Sequence, residues 1–245
     1  MRGPIKNQAL RLLRERGVEI GTVLDVGVLS GTPELMGHYP TLPHILFEPV
    51  VEFNETIRQN YRNIPHKIVN AAVSDSDGET LLELVQLVDV PGHEFSHSHV
   101  TTEANENRVQ RMVPKITLDE FLKDKNYPKP YLLKIDIDGH ELAALAGATK
   151  TLADSAVVII EAQFSELAQR IAAITEQGFV LFDLVEPCYY DNALWQCDAI
   201  LLRADIHKRY FAQFEDGFDA RKYTMFRPVP MRMGNPRPQP ASPAK

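Results

Sequence analysis

Short apolar runs alternate with stretches of helical spacing through most of the chain. The first run, residues 22–26, ends in a glycine turn and precedes a predicted helix at 33–39. A second run, 44–47, is followed by apolar residues three and four positions apart, which is the period of an amphipathic helix. The pattern therefore predicts repeated strand-helix units.

The same pattern continues toward the C-terminus. Further strands are predicted at 67–73, 131–135, 156–160, 179–184 and 198–202, with helices at 142–152 and 165–177. The turn-rich residues 74–78 and the apolar run 81–88 predict a hairpin or an excursion after the third strand. Together these elements predict an α/β fold, in which a mostly parallel, twisted sheet carries helices on both faces and has an antiparallel edge strand.

The domain organisation follows from length and composition. A chain of 245 residues with 44% hydrophobic content can form one substantial core, so one domain is predicted over 1–226, opening with a helix at 4–16. Residues 89–114 lose the periodic pattern and are rich in polar side chains, which predicts a substrate-side loop or lid. Residues 227–245 are dominated by proline and arginine and are predicted to form a disordered tail.

Net charge and hydropathy narrow the classes of partner. The formal charge of −7 argues against a nucleic-acid substrate, because such binding depends on clustered lysine and arginine. The N-terminus mixes basic and apolar residues and contains no long apolar run, so we expect neither a signal peptide nor a membrane span and infer a cytoplasmic location. The oligomeric state is left open, a homo-oligomer included.

Acidic side chains stand where several predicted strands end. Asp25, Glu48, Asp136 and Glu161 are in such positions, and ligands of open α/β sheets bind outside the carboxyl ends of the strands. The turn from Asp25 to Gly31 has the form D-x-G-x-x-x-G, which either admits a ligand or is an ordinary β-α turn. A carboxylate at Glu48 can accept hydrogen bonds from ribose hydroxyls or can simply complement a helix N-terminus.

Several motifs then occur in a specific order. They are Leu24-Asp25-Val26-Gly27 with Gly31, Phe47-Glu48-Pro49, Asn70-Ala71-Ala72-Val73-Ser74, Ile116-Thr117-Leu118-Asp119 and Lys134-Ile135-Asp136-Ile137-Asp138-Gly139-His140-Glu141. This order resembles the FkbM family of methyltransferase domains over about residues 23–164. The resemblance implies a Rossmann-like class I methyltransferase fold, S-adenosylmethionine as cofactor, and O-methyl transfer to a hydroxyl of a small molecule or sugar.

The resemblance also implies roles for individual residues. The turn that begins at Asp25 would bind the cofactor, with Gly27 and Gly31 beside its methionine part. Its ribose would lie on Glu48 and its adenine near Ala71-Ala72, and Asp136 would face the methyl group that is transferred. The chain departs from the family pattern twice: Val28-Leu29 replace the usual Ala-Asn, and Asp138 replaces Glu.

Candidate catalytic residues lie around the 134–141 motif. Asp136 is the first choice as base or acceptor-orienting group, and strand alternation places Lys134 on the same face, where it could hold that carboxylate ionised. His140, His97 and His99 are alternative bases because imidazole titrates near neutrality, although surface exposure explains them equally well.

Two further expectations concern the acceptor and metals. Glu161, Trp195, His97 and His99 are candidates for contacting the acceptor, although an aromatic residue near a strand end most often belongs to the core. Asp136, Asp138, His140 and Glu161 could supply ligands for a divalent cation. The alternative is that Asp138 merely makes the turn, and on that interpretation we predict no metal.

Two other functions compete with methyl transfer. One is a non-catalytic relative, in which the altered Val28-Leu29 turn no longer binds the cofactor and the domain serves as a binding or assembly module. The other is a nucleotide-dependent oxidoreductase, which the missing G-x-G-x-x-G fingerprint disfavours.

Overall fold

The computed structural model describes residues 2–87 and 94–226. Its strands are β1 (Thr22–Val26), β2 (His44–Phe47), β3 (His66–Val69), β4 (Ala72–Val73), β5 (Gly78–Val85), β6 (His97–Thr101), β7 (Val109–Ile116), β8 (Tyr131–Ile135), β9 (Ser155–Gln163), β10 (Phe179–Tyr190) and β11 (Ala193–Arg203). Its α-helices are α1 (Lys6–Glu15), α2 (Pro33–His38), α3 (Asn54–Asn60), α4 (Leu118–Leu122), α5 (Glu141–Ala146), α6 (Thr149–Ala153), α7 (Leu167–Thr175) and α8 (Ala204–Tyr210). Single 3₁₀ turns occur at Val51–Phe53 and Phe214–Asp216.

Seven strands form the central sheet in the order β10-β11-β9-β8-β1-β2-β3. The neighbours from β9 to β3 pair in parallel, whereas β11 runs antiparallel to both β9 and β10. The predicted α/β fold with a mostly parallel sheet is thereby confirmed, and the hairpin β10-β11 forms its antiparallel edge.

Side chains of the central sheet alternate between two apolar layers. On β1, Leu24 packs into the layer with α4 to α7, and Val23 packs into the layer with α1, α2 and α8. Because strand side chains alternate between the faces, a parallel strand covered on both sides is buried along its whole length. All five residues of β1 and all five of β8 are buried, and the charged residues among them are Asp25 and Lys134. The helices therefore cover both faces, as predicted.

A second, four-stranded sheet has the order β4-β7-β5-β6. It packs through Leu82, Leu84 and Val113 on an apolar cluster that includes β2 and α3. The predicted third strand at 67–73 was therefore too long, because the chain leaves the central sheet after Val69 and enters the second sheet at Ala72.

The prediction of a long loop at 89–114 was wrong for most of its described part, where β6 and most of β7 lie. All five residues of β6 are partly buried, and on β7 only Val113 is buried, so neither strand has the strict apolar alternation that marks a strand in sequence.

The predicted helix at 142–152 is also divided, into α5 and α6, by Gly147. A Cβ atom at Gly147 would lie 2.1 Å from the Ser74 carbonyl oxygen, so the chain passes too closely there for any other residue.

Helix α1 falls within the predicted range 4–16. The single-domain boundary at 226 stays a prediction, and the predicted tail at 227–245 lies outside the described residues. Within those described residues, the structure contains no helix that is both long and apolar enough to span a membrane.

Candidate active site

A cavity of about 360 Å³ opens at the carboxyl ends of β1, β2, β8 and β9, with β5 and β6 of the second sheet forming one wall. Most of the residues predicted for the site line it: Gly27, Gly31, Glu48, Ala71, Ala72, His97, Lys134, Asp136, His140 and Glu161. Three predicted residues, Asp25, His99 and Trp195, are not among the lining residues.

The turn after β1 is shaped by a close approach of two strands. Gly27 has φ of 79°, and a Cβ atom there would lie 1.8 Å from the Asp136 carbonyl oxygen. Glycine is thus required at this position by the backbone that follows β8, whereas the sequence suggested a ligand as the reason. At Gly31, with φ of 138°, a Cβ atom would lie 3.1 Å from the Tyr61 ring.

The unusual residues Val28 and Leu29 leave the cavity open. Val28 is only 2% exposed and packs into the cluster shared by the two sheets. Leu29 adopts φ of 52°, a conformation that asparagine accepts more readily than leucine, and its backbone N–H donates a 2.7 Å hydrogen bond to Glu48 Oε2. The turn is therefore held in its bent form by Glu48.

Glu48 is a buried carboxyl at the end of β2. It also accepts a 2.9 Å hydrogen bond at Oε1 from the Val50 backbone N–H. Burial raises the pKa of Glu48 to about 7, and these two hydrogen bonds, which favour the ionised form, only partly oppose that effect. Each carboxylate oxygen has a further lone pair with which it can accept a ligand hydroxyl.

Lys134 lies between two carboxylates, as strand register requires. Its Nζ is 3.2 Å from Asp136 Oδ2, the predicted partner, and 3.3 Å from Asp25 Oδ1, because Asp25 is its register neighbour on β1. Nζ also donates a 3.1 Å hydrogen bond to the Gly27 carbonyl. Burial would lower the pKa of Lys134, but the two carboxylates outweigh it and raise that pKa.

Asp25, predicted to bind the cofactor, lies below the cavity surface, and its predicted role stays a prediction. The residue is fully buried beneath the cavity, where its carboxylate pairs with Lys134. Asp25 lies at the base of the site and does not reach the cavity surface. It would therefore act on a cofactor indirectly, through Lys134 or through the backbone of the turn.

Three carboxyl groups lie side by side across neighbouring strands. Glu161 is opposite Asp198 in the pairing of β9 with β11, and Asp136 follows the last paired residue of β8 on the other side of Glu161. Gln196 donates a 2.7 Å hydrogen bond from Nε2 to Glu161 Oε1. The carboxyls of Glu161 and Asp136 lie close enough to share a hydrogen bond, an interaction that raises the pKa of Glu161 and lowers that of Asp136.

The pKa values of this pair move apart. Burial and the negative charge of Asp136 raise the pKa of Glu161, which therefore keeps its proton at neutral pH. Burial acts to raise the pKa of Asp136 as well, but the charge and hydrogen bond of Lys134 outweigh it, so that pKa lies below its usual range. The Asp136 side chain is 35% exposed, so its carboxylate is accessible from the cavity.

Sequence reasoning missed three residues here: Lys6, Gln196 and Asp198. Lys6, from α1, reaches the cavity and forms a 2.6 Å ion pair with Asp198 Oδ2. A signal was present, since Lys6 stands on the same helical stripe as the buried residues Ala9, Leu10 and Leu13. A lysine on an apolar stripe needs a buried partner.

The three predicted histidines have different surroundings. His140 lines the cavity with Nε2 2.8 Å from Ser74 Oγ, and burial lowers its pKa. His97 also lines the cavity, with Nδ1 2.9 Å from Ser96 Oγ. His99 instead has Nε2 3.7 Å from Glu83 Oε1, away from the cavity. The structure therefore brings two of the three to the site.

Trp195 lies on the hairpin β10-β11, where it is 41% exposed and its ring packs near Phe164 and Tyr190. The structure does not bring it to the cavity.

Asp138 does line the cavity, with φ of 53°. Across the described ranges, no group of three or more histidine, cysteine, aspartate or glutamate side chains is arranged to hold a metal ion.

The turn after β8 is fixed from below by Glu141. Its Oε1 accepts a 3.2 Å hydrogen bond from the Ile137 N–H, and its Oε2 accepts a 3.1 Å bond from the Gly139 N–H. Glu141 is fully buried and pairs with Arg170 at 2.7 Å. This ion pair holds Asp136 and Asp138 in place around the mouth of the cavity.

The residues present fit a sulfonium nucleoside. Glu48 offers acceptors at the end of β2, the apolar residues Phe47, Ala71 and Leu82 line the same part of the cavity, and the Gly27 turn closes one side. The carboxylates beyond that turn favour a positively charged group. Nothing in the altered turn blocks the space.

Comparison with known proteins agrees with this geometry. The family model of the methyltransferase FkbM domain matches residues 27–181. The hexuronic acid methyltransferase AglP of Haloferax volcanii is 27% identical over 159 residues, which cover 64% of this chain and 62% of the relative. The match thus spans less than two thirds of that curated relative.

Similar solved structures include an rRNA methylase from Streptococcus thermophilus, with 12% identity and a TM-score of 0.47 over 83% of this chain and 98% of that one. Another is a precorrin-6y C5,15-methyltransferase from Geobacter metallireducens, with 10% identity and a TM-score of 0.42 over 82% and 93%. Likenesses this distant carry no argument about function. Because the family model matches 155 of the 245 residues, the chain belongs to the FkbM methyltransferase domain family, and the resemblance in its motifs is confirmed.

Proposed function

We propose that the chain is an S-adenosylmethionine-dependent methyltransferase that methylates a hydroxyl oxygen of a sugar or another small molecule. The observation that carries the proposal is that one cavity brings together Glu48, the Gly27 turn and the Asp136–Lys134 pair. Family membership supports methyl transfer, and the name of the Haloferax relative supports a sugar acceptor.

On the cofactor side, the roles follow from position. Glu48 would accept hydrogen bonds from the ribose hydroxyls, and Ala71 and Ala72 would lie against the adenine. The turn with Gly27 and Gly31 would border the methionine part. Glu48 also fixes that turn through the Leu29 N–H, so one side chain links the two halves of the cofactor site.

On the acceptor side, Asp136 is the group placed to take a proton. S-adenosylmethionine, when bound in this cavity, would supply a methyl group on a positively charged sulfur for transfer to the acceptor oxygen. Lys134 favours the ionised form of Asp136, and the Glu161 carboxyl, whose pKa is raised, can donate a hydrogen bond to that carboxylate. Asp136 can therefore orient the acceptor hydroxyl and accept its proton.

Binding of the cofactor tests the proposal directly. Isothermal titration calorimetry with the purified protein should show saturable binding of S-adenosylmethionine. Glu48→Ala should weaken this binding by about tenfold or more, because a hydrogen bond to a charged group contributes about 1.5–3 kcal/mol. Glu55→Ala is the matched control, since that side chain is 88% exposed on α3 and outside the cavity.

Two results would contradict the proposal. The first is a folded wild-type protein that gives no heat of binding, which would favour the non-catalytic module instead. The second is equal affinity in the wild type and Glu48→Ala. Among the residues that the structure describes, no observation favours the oxidoreductase.

The proposal also covers where the protein is located and which partners it does not bind. The composition of the chain supports a cytoplasmic protein that acts on neither nucleic acid nor membrane, and its net charge of −7 is unsuited to phosphate backbones.

A further inference from the structure

The acceptor half of the cavity is rich in carboxyl groups. Asp136, Asp138 and Glu161 all line it, around the position at which a hydroxyl would meet Asp136. Burial and the nearby Asp136 raise the pKa of Asp138, while the charge of His97 opposes that shift. An acceptor entering this half therefore meets the carboxyls of Asp136 and Asp138 together with the protonated carboxyl of Glu161.

The cations beside these carboxyls are already paired. Within the ranges 2–87 and 94–226, the only lysine or arginine side chains that line the cavity are Lys6 and Lys134. Lys134 lies between Asp25 and Asp136, and Lys6 pairs with Asp198 at 2.6 Å. Neither ammonium group can turn to an incoming anion without leaving a buried carboxylate uncompensated.

The remaining basic groups near the site do not change this balance. Arg170 is 2% exposed and is held by Glu141 and Glu166 below the turn. Burial lowers the pKa of His140, which favours its neutral form. His97 also lines the cavity, where its electrostatic effect on the pKa of Asp138 is smaller than the effect of burial.

We propose that the sugar unit methylated by this chain is uncharged, with no carboxylate, phosphate or sulfate next to the hydroxyl that reacts. The inference rests on the O-methyl transfer proposed above and specifies its acceptor. It also separates this chain from the Haloferax relative, whose name specifies a hexuronic acid.

Physical chemistry distinguishes the two kinds of acceptor. A neutral sugar donates its hydroxyl protons to carboxylates such as Asp136, and these are charge-assisted hydrogen bonds. A uronate brings a second negative charge into a partly buried site, where like charges repel strongly and, among the described residues, no unpaired lysine or arginine side chain of the cavity offsets its loss of hydration. The same hydroxyl pattern with an added carboxylate should therefore be rejected.

Transfer of labelled methyl groups to mixed glycans tests the inference. Glycans extracted from the cells that naturally carry the gene, and shown to contain both neutral sugars and uronic acids, are incubated with the protein and tritium-methyl S-adenosylmethionine. The products are hydrolysed to monosaccharides and separated on an anion exchanger, and label is expressed per mole of neutral sugar or uronic acid. We expect at least about a tenfold excess of label in the unretained, neutral sugars.

A charge-removing variant makes the test specific to this site. Asp138 already has φ of 53°, which asparagine accepts, so Asp138→Asn removes charge without new backbone strain. It should raise the uronic-acid share of the label by about threefold or more, because one of the repelling carboxylates is gone. Asp124→Asn, an exposed position after α4, is the matched control and should leave the share unchanged.

The outcomes separate the inference from the function on which it rests. Label found mainly in uronic acids would overturn the uncharged acceptor and leave methyl transfer intact. Absence of label from all sugars, in a protein that binds S-adenosylmethionine by calorimetry, would overturn sugar methylation and the inference with it. Saturation-transfer NMR on the S-adenosylhomocysteine complex gives a second readout, in which methyl glucoside should bind more tightly than methyl glucuronide.

Discussion

The turn after β1 can pack against the turn after β8 because residue 27 is a glycine, which has no side chain. We expect Gly27→Ala to lower the free energy of unfolding by about 2–5 kcal/mol, because alanine disfavours positive φ and its Cβ would overlap the chain. The overlap is with the Asp136 carbonyl oxygen, 1.8 Å away, and backbone cannot move aside as a flexible side chain can. Urea denaturation measures the change.

Gly37 is the matched control for this substitution. It is exposed in α2, and an added Cβ there meets nothing within 4 Å. Gly37→Ala should leave stability unchanged or raise it by up to about 1 kcal/mol, because alanine favours a helix. Equal effects at the two positions would show that the close approach at Gly27 is unimportant.

Single residues were predicted well where strand alternation alone decides their position. The pairing of Lys134 with Asp136 follows from two residues on one face of one strand, and the structure confirms it. Asp25 joins the same lysine through register between β1 and β8, which a sequence does not reveal. Gln196, Asp198 and the pairing of Lys6 with Asp198 were missed for the same reason, because α1 and β11 meet only in the folded chain.

At the scale of elements, α1 is attached to the sheet by a buried ion pair. Lys6 and Asp198 are 8% and 7% exposed, and removing one partner of a buried pair typically costs about 3–5 kcal/mol. We expect Lys6→Met to destabilise the protein by about this amount, and Lys6→Met combined with Asp198→Asn to recover part of the loss. Chemical denaturation of the four proteins of this double-mutant cycle gives the coupling.

The same helix contains a control pair. Arg11 and Glu15 are 3.8 Å apart and more than half exposed, so their coupling should not exceed about 0.5 kcal/mol. A Lys6–Asp198 coupling as small as that of Arg11–Glu15 would contradict the view that the ion pair fixes α1 over the acceptor side of the cavity.

Elements with clear periodicity were predicted, and elements without it were not. Strands β1, β2, β8 and β9 of the central sheet are buried on both faces, and the apolar runs of the sequence predict them. β6 and β7 carry polar residues on both faces, and Pro114 and Arg111 interrupt β7 further, so their sequence is that of a loop. Their strand structure depends on pairing with β5, a long-range interaction.

At the scale of the whole molecule, the site concentrates buried acids whose pKa values are raised by burial. Besides Glu48, they include Glu161, Glu141 and Asp198. An acid whose pKa is higher in the folded state than in the unfolded chain stabilises the fold fully below the unfolded pKa. That stabilisation is lost as pH rises through the folded pKa.

For Glu48 the pH window can be stated, because its pKa rises from 4.5 to about 7 on folding. Between pH 5 and pH 8, the free energy of unfolding of the cofactor-free wild type should fall by about 2–3 kcal/mol more than that of Glu48→Gln, which cannot titrate. Urea denaturation at the two pH values measures this difference, and Glu55→Gln, an exposed change on α3, should behave as the wild type does. The net charge of −7 adds self-repulsion as pH rises, but it acts almost equally on all three proteins, so the comparison isolates Glu48. Parallel pH dependence of the wild type and Glu48→Gln would mean that Glu48 is ionised throughout this range, with Leu29 and Val50 holding its charge more strongly than burial opposes it.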